Sequence, residues 1–403
     1  MSDFGRGSTN DDRRNFLRRA AALPLIYGVR GGSVSLAKSI DSSASVINAP
    51  QQPAGLIIRQ KQPENLEFPF STLDSFLTPN NRFYVRSHFP VPRLDVAAWR
   101  LRVEGAVARP LELSLAELLA MPARTATATL ECAGNSRIFL VPAVRGVQWE
   151  AGAVSNAAWM GVPLAEVLER AGVQPNAVEV VLEGADRGEI AEGPKPAGPI
   201  NYARSLPLAK ALEPSTLLAY RMNDQELPAA HGYPLRAVVS GWYGMASVKW
   251  LARIVVTERP FDGYYQTVDY SYWERQNGLP VLRALGEMQT KALIARPAMG
   301  EAVQASTAYR VHGAAWTGDA EVTKVEVSTD GGRGWADARL IDTPVRYAWR
   351  RWEYEWRTPP QTGRYTLMAR ATDARRRTQP LKHDPDYGTY AIRHILPTDV
   401  EVQ

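Results

Sequence analysis

Leu130-Glu131-Cys132-Ala133-Gly134-Asn135-Ser136-Arg137 holds the only cysteine in a chain of 403 residues. One thiolate cannot close a disulfide, cage a zinc ion with sulfur or carry an iron–sulfur cluster, because each of these needs further thiolates. It can serve as a nucleophile or give one ligand to a metal held mainly by another group. An isolated cysteine is otherwise a small buried hydrophobe, so its neighbours decide the reading.

Outward from this segment, strand-like runs alternate with short helical patterns as far as residue 285. The runs include Thr127-Ala128-Thr129-Leu130, Val178-Glu179-Val180-Val181-Leu182 and Leu235-Arg236-Ala237-Val238-Val239. Ser114, three residues before Glu117, is a capping-box signature, and Pro163 to Arg170 repeats the helical period. The mixture predicts an α+β domain over 68–285, without the regular βαβ rhythm of a doubly wound sheet. Beyond Gly300 the pattern changes to strands and turns: Thr323 to Ser328 alternates, Asp330-Gly331-Gly332 is a turn, and Trp349, Trp352, Tyr354 and Trp356 crowd a strand ahead of Tyr365 to Arg370. An immunoglobulin-like β-sandwich over 286–403 is expected. Its strand-spaced tryptophans, Trp335 included, read as core or interface and not as an electron path.

Ahead of the α+β region, 38–67 is rich in Ser, Ala, Gln and Pro without periodicity and reads as an extended arm, with packing expected from Phe68. Residues 1–37 contain Asp12-Arg13-Arg14-Asn15-Phe16-Leu17-Arg18, a moderately apolar stretch from Ala20 to Val29, and Ser35-Leu36-Ala37. This resembles a twin-arginine export signal with a small-residue cleavage site. The competing reading is a disordered basic tail. Export by that route carries folded proteins, so a soluble periplasmic protein with a cofactor inserted beforehand is expected. No other apolar run approaches the roughly 20 residues of a membrane span.

The formal charge of +5 is spread along the chain, without zinc-finger spacing or a sustained basic helix, which argues against nucleic acid as a partner. A modest positive field suits a small anion. Four segments gather the residues able to do unusual chemistry: Phe83-Tyr84-Val85-Arg86-Ser87-His88-Phe89-Pro90, the cysteine segment, His231-Gly232-Tyr233-Pro234-Leu235-Arg236, and Gly244-Met245-Ala246-Ser247-Val248-Lys249-Trp250. Each joins a cation to Gly or Pro, a combination that suits phosphate or an oxyanion.

Taken in order, these segments resemble the molybdenum domain of the sulfite oxidase family, whose most specific signature is Glu-Cys-Ala-Gly-Asn followed one residue later by Arg. The resemblance runs from about Asn80 to Tyr270, and the sandwich resembles the family's dimerisation domain. It implies a molybdenum–pyranopterin cofactor in which Cys132 is the one protein ligand, a soft thiolate suited to this metal. It also places the pterin and its phosphate among Arg86, His88, Asp186, His231, Arg236, Ser247 and Lys249. Arg86 and Arg137 match anion-pocket arginines, and Trp149 a pocket-wall tryptophan. Tyr270 matches the active-site tyrosine, with Tyr264, Tyr265 and Tyr272 close in sequence.

The activity implied is oxidation of sulfite to sulfate by oxygen-atom transfer, in a homodimer formed through the sandwich. The chain has neither a Cys-x-x-Cys-His motif nor a paired-histidine pattern for haem, so electrons are expected to pass to a separate c-type cytochrome. Two departures bear on substrate. Ser240-Gly241-Trp242-Tyr243-Gly244-Met245-Ala246-Ser247 lacks the family's Pro-Gly and its arginine, and Asp384-Pro385-Asp386-Tyr387-Gly388 lies where a further pocket arginine is expected. A sulfane dehydrogenase subunit, a sulfoxide reductase and a non-catalytic assembly protein therefore stand as alternatives to a sulfite dehydrogenase.

Overall fold

The computed structural model describes residues 55–403 apart from Glu192. The export-signal reading of 1–37 and the start of the arm lie outside the described residues.

The strand leading to the cysteine, Arg124–Glu131, runs antiparallel to Val154–Pro163, with Thr129 opposite Asn156 and Glu131 opposite Val154. Val154–Pro163 pairs on its other side with Thr216–Met222, which in turn holds Arg236–Val239 and Gln225–Glu226. Gly161 permits this approach, since a Cβ there meets the carbonyl oxygen of Leu218 at 2.0 Å. A second sheet is ordered Leu111–Leu113, Leu101–Gly105, Leu251–Thr257, Glu179–Gly188, Ile200–Pro207. Leu251–Thr257 is parallel to one neighbour and antiparallel to the other.

The α-helices among the described residues are short: Leu115–Leu119, Leu164–Ala171, Leu208–Ala211 and Tyr264–Thr267. The first carries the expected capping box, in which Ser114 Oγ accepts from Glu117 N while the Glu117 carboxylate accepts from Ser114 N. The α+β expectation thus holds in a coarser form, as a strand-dominated region with few helices. No helix among the described residues is long and apolar enough to cross a membrane.

Packed structure begins before Phe68, in a small sheet of Ile57–Gln60, Asn65–Glu67 and Val85–Arg86. Asn65 and Glu67 are buried by polar bonding: Glu67 accepts from Gly152 N at 2.6 Å and Glu150 N at 3.2 Å and pairs with Arg59. A strand buried through polar side chains has no apolar alternation, which is why 38–67 reads as an arm throughout.

The C-terminal region forms two sheets, one built on Lys291–Arg296, Ala308–Trp316 and Arg350–Arg357, the other on Val322–Ser328, Gly363–Asp373 and Thr398–Val402. Val311, Val325, Trp352, Trp356 and Leu367 fill the space within this region. Trp316, Tyr347 and Trp349 instead belong to the large core shared with the cysteine region. Trp349 donates its indole N–H to Phe76 O at 2.8 Å, and its backbone N–H to Thr129 Oγ1 at 2.7 Å. Residue 285 is therefore a boundary of pattern and not of packing.

Candidate functional site

Cys132 follows directly on its strand, where the backbone turns: Cys132 N donates to Ala153 O and Cys132 O accepts from Asn135 N, both at 2.8 Å. The side chain is buried and lines a cavity together with charged and aromatic side chains. Among the described residues no group of three or more His, Cys, Asp or Glu side chains is placed to hold a metal ion.

Three cations, Arg236 buried and Arg86 and Lys249 half-buried, line this cavity. Arg86 extends from the short strand Val85–Arg86 and donates to Asn65 Oδ1 at 3.4 Å and to Ser87 O. Arg236 donates to the carbonyls of His231 at 2.9 Å, Ser247 at 3.1 Å and Ala237 at 3.2 Å, with its guanidinium 4.8 Å from the Trp159 ring centre. Lys249 Nζ donates to Ser87 Oγ and Ala230 O, both at 2.9 Å. Burial brings Arg236 down to about 10 and Lys249 down to about 7, the latter with Arg236 as the next cause. Their hydrogen bonds run to neutral oxygens, and among the described residues no carboxylate lies within ion-pair distance of the three. Cations so placed, shielded from water in part or in full and without a carboxylate partner, favour an anionic ligand.

Asp186 supplies the opposite polarity. It lies in Glu179–Gly188 where the register with Ile200–Pro207 shifts, between Glu183 and Arg187. Its Oδ1 is buried with no hydrogen-bond partner, and burial pushes the carboxyl up to about 7. An orphaned acceptor facing the same cavity as three cations fits a group with amino donors at one end and a phosphate at the other. A pyranopterin has that distribution, so these residues fit it.

The remaining wall is aromatic. His88 Nε2 and Tyr270 Oη lie 2.6 Å apart, and the imidazole stacks on Tyr202 at 4.4 Å. Burial, then Arg86 and Lys249, hold His88 well below the ordinary imidazole value, while burial raises Tyr270. Both are neutral near pH 7. Tyr265 meets the same imidazole edge-on at 4.7 Å, whereas Tyr272 turns away to stack on Tyr387. His231, lowered to about 3 by burial, is a neutral ring bonded to Asn80 O at 3.3 Å. Ser247 Oγ accepts from Val239 N at 3.0 Å.

Nine of the expected residues thus meet at one cavity: Arg86, His88, Cys132, Asp186, His231, Arg236, Ser247, Lys249 and Tyr270. Arg137 and Trp149 do not line it. Arg137 donates to Val147 O and Thr389 O and sits over Tyr390, whose ring packs 4.8 Å from Tyr270. Trp149 is fully buried. Arg137 is held there between Gly134 and Gly146, which lie tight against its guanidinium, within 2.7 Å of where a Cβ would be. Tyr84, Tyr202 and Tyr390 escaped sequence reasoning. The segment Asp384 to Tyr390 does reach the site, but it brings Tyr390 and no cation.

Residues 88–265 match the oxidoreductase molybdopterin binding domain family, and residues 283–390 match the Mo-co oxidoreductase dimerisation domain family. Sulfite oxidase of Gallus gallus is 37% identical over 371 residues, covering 87% of this chain and 77% of that protein. Mitochondrial sulfite oxidase of Mus musculus is 35% identical over 365 residues, 86% of this chain and 65% of the mouse protein, so the chain spans under two thirds of that relative's length. The crystal structure of the sulfane dehydrogenase SoxCD from Paracoccus pantotrophus is similar with a TM-score of 0.71 at 27% identity, over 83% of each chain.

Proposed function

The chain belongs to the sulfite oxidase family of molybdenum enzymes and is a molybdenum-dependent oxidoreductase, and on that premise we propose that it is a periplasmic sulfite dehydrogenase that passes electrons to a separate c-type cytochrome. The observation that carries this reading is the cavity itself, in which one thiol, three cations without a carboxylate partner and one orphaned carboxylate oxygen converge. In this reading Cys132 ligates molybdenum, Arg236 and Lys249 hold the pterin phosphate, and Asp186 accepts from its amino groups. The bound cofactor supplies oxygen-atom transfer and two-electron redox chemistry.

The protein's own contribution is charge and orientation. Arg86 draws a sulfite anion towards the cysteine, and its bond to Asn65 fixes the approach. Tyr270 keeps its hydroxyl proton and presents it beside His88, which offers a fixed hydrogen-bond partner without adding charge. Arg137 acts one ring further out, through Tyr390 and Tyr270. Periplasmic export rests on the paired arginines at 13 and 14, and a homodimer on the match to the dimerisation family.

The missing C-terminal cation favours a second reading, oxidation of a bulkier sulfane substrate, in keeping with the likeness to a sulfane dehydrogenase. Sulfite-dependent reduction of ferricyanide or cytochrome c by molybdenum-loaded protein is expected, and its loss in Cys132→Ser, which remains folded but offers a harder donor. Absence of sulfite turnover in fully loaded wild-type protein removes the sulfite reading.

A further inference from the structure

The β-sandwich sends a buried cation into the loop that carries Cys132. Lys291 opens the strand Lys291–Arg296, opposite Trp316 in the neighbouring strand. Its side chain and that of Glu131, the residue before the cysteine, are 1% and 2% exposed and meet at 2.9 Å. Lys291 Nζ also donates to Ser136 Oγ at 3.0 Å and to Asn135 O at 3.4 Å. Trp316 Nε1 donates to the other Glu131 oxygen at 2.8 Å, and Asn135 Nδ2 donates to Oε1 at 3.1 Å. Asn135 Oδ1 in turn accepts from Ala153 N at 3.1 Å, the residue whose carbonyl receives Cys132 N.

We infer that Lys291 is a positioning residue for Cys132: through Glu131, Asn135 and Ser136 the sandwich sets the direction in which the thiolate meets the metal. A fully buried ion pair is weak evidence for stability, because a pair of apolar side chains of similar volume often does as well or better. Such a pair does fix geometry, since each oxygen and proton has one place to go. Here every bond lands on residues 131 to 136, on both sides of the cysteine. Ser136 also has φ 76°, a left-handed conformation uncommon for a non-glycine residue. Lys291 bonds the Ser136 hydroxyl from the β-sandwich.

The inference rests on the molybdenum reading, so the test measures both. Full-length wild type, Lys291→Met, Lys291→Arg and the double variant Lys291→Met/Glu131→Gln are purified with cofactor, and molybdenum content is measured first. Wild type without molybdenum overturns the functional reading and leaves the Lys291–Glu131 pair as a structural feature. In the double variant no buried charge is left unpaired, so it is expected to fold and load. Its electron paramagnetic resonance signal from half-reduced molybdenum is then expected at shifted g-values, with kcat lowered about tenfold and KM for sulfite within about twofold. Lys291→Arg is expected to recover part of both. A double variant with full molybdenum, unshifted g-values and unchanged kcat overturns the inference and reduces Lys291 to a structural tie. If the double variant fails to load while Lys291→Arg loads with wild-type g-values and kcat, the requirement for a cation at this place stands; a signal unchanged in Lys291→Met overturns it.

Discussion

At the scale of single residues, the site gathers three cations and a carboxylate with no ion pair among them. Asp186, pushed up to about 7 from 3.8, and Lys249, brought down to about 7 from 10.5, show opposite consequences of the same burial. In cofactor-free protein the unfolded chain releases the Asp186 proton first, so Asp186 costs stability as pH rises from 3.8 towards 7. The unfolded chain takes up the Lys249 proton first, so Lys249 costs stability as pH falls from 10.5 towards 7. The two penalties overlap near pH 7. Asp186→Asn removes the acid limb, and calorimetry of cofactor-free protein should find its Tm advantage over wild type growing between pH 4 and pH 7. An advantage that shrinks over that range contradicts the assignment. The residues of this cluster were legible in sequence because Cys132, His231, Arg236 and Lys249 sit in compact motifs rich in Gly and Pro. Tyr202 and Tyr390 were not, since each reaches the site from a segment with no local chemistry of its own. Arg137 and Trp149 show the converse: both were named from the motif, yet Arg137 packs against Gly134 and Gly146 and Trp149 is fully buried, and neither lines the cavity.

At the scale of elements, strands with an apolar face were legible and strands buried by polar bonding were not. Val322–Ser328 buries Val322, Val325 and Val327, the apolar residues its sequence offers, whereas Asn65–Glu67 is fully buried with two polar side chains, and only the structure places it against Arg86. The strand Glu179–Gly188 combines both behaviours. Val180 and Leu182 pack into the core, and beyond Glu183 the register shifts so that Asp186 faces the cavity. Gly184 makes this turn of the strand feasible: a Cβ there stands 2.4 Å from Asp186 Oδ1 and 2.8 Å from Lys249 O. The second contact is with backbone and cannot be relieved by a rotamer. Gly184→Ala is therefore expected to displace Asp186 while leaving the rest of the sheet in place. Metal analysis should show molybdenum content reduced severalfold with an unchanged far-ultraviolet circular dichroism spectrum. Full loading of the alanine variant removes Asp186 from the cofactor's binding group.

At the scale of the whole molecule, two regions that differ in sequence texture share one core. Trp316, Tyr347 and Trp349 pack with Leu130 and Trp159, while backbone bonds cross the same boundary from Thr129 N to Tyr347 O and from Ala391 N to Ala133 O. The sandwich also provides Lys291 for Glu131 and Thr389 O for Arg137. Removing one partner of a buried ion pair costs about 3–5 kcal/mol, and deleting a buried tryptophan costs about 3–5 kcal/mol. A protein is stable by only about 5–15 kcal/mol in total, so loss of Lys291, Trp316 and Trp349 together is comparable to the whole margin. A chain truncated after residue 285 is thus expected to be insoluble or loosely folded and to retain no molybdenum, even though it keeps Cys132, the three cations and Asp186. Size-exclusion chromatography with metal analysis checks this. A monodisperse truncated protein carrying a full complement of molybdenum would mean that the cysteine loop folds without the sandwich, and that the two regions are joined by sequence and not by energy.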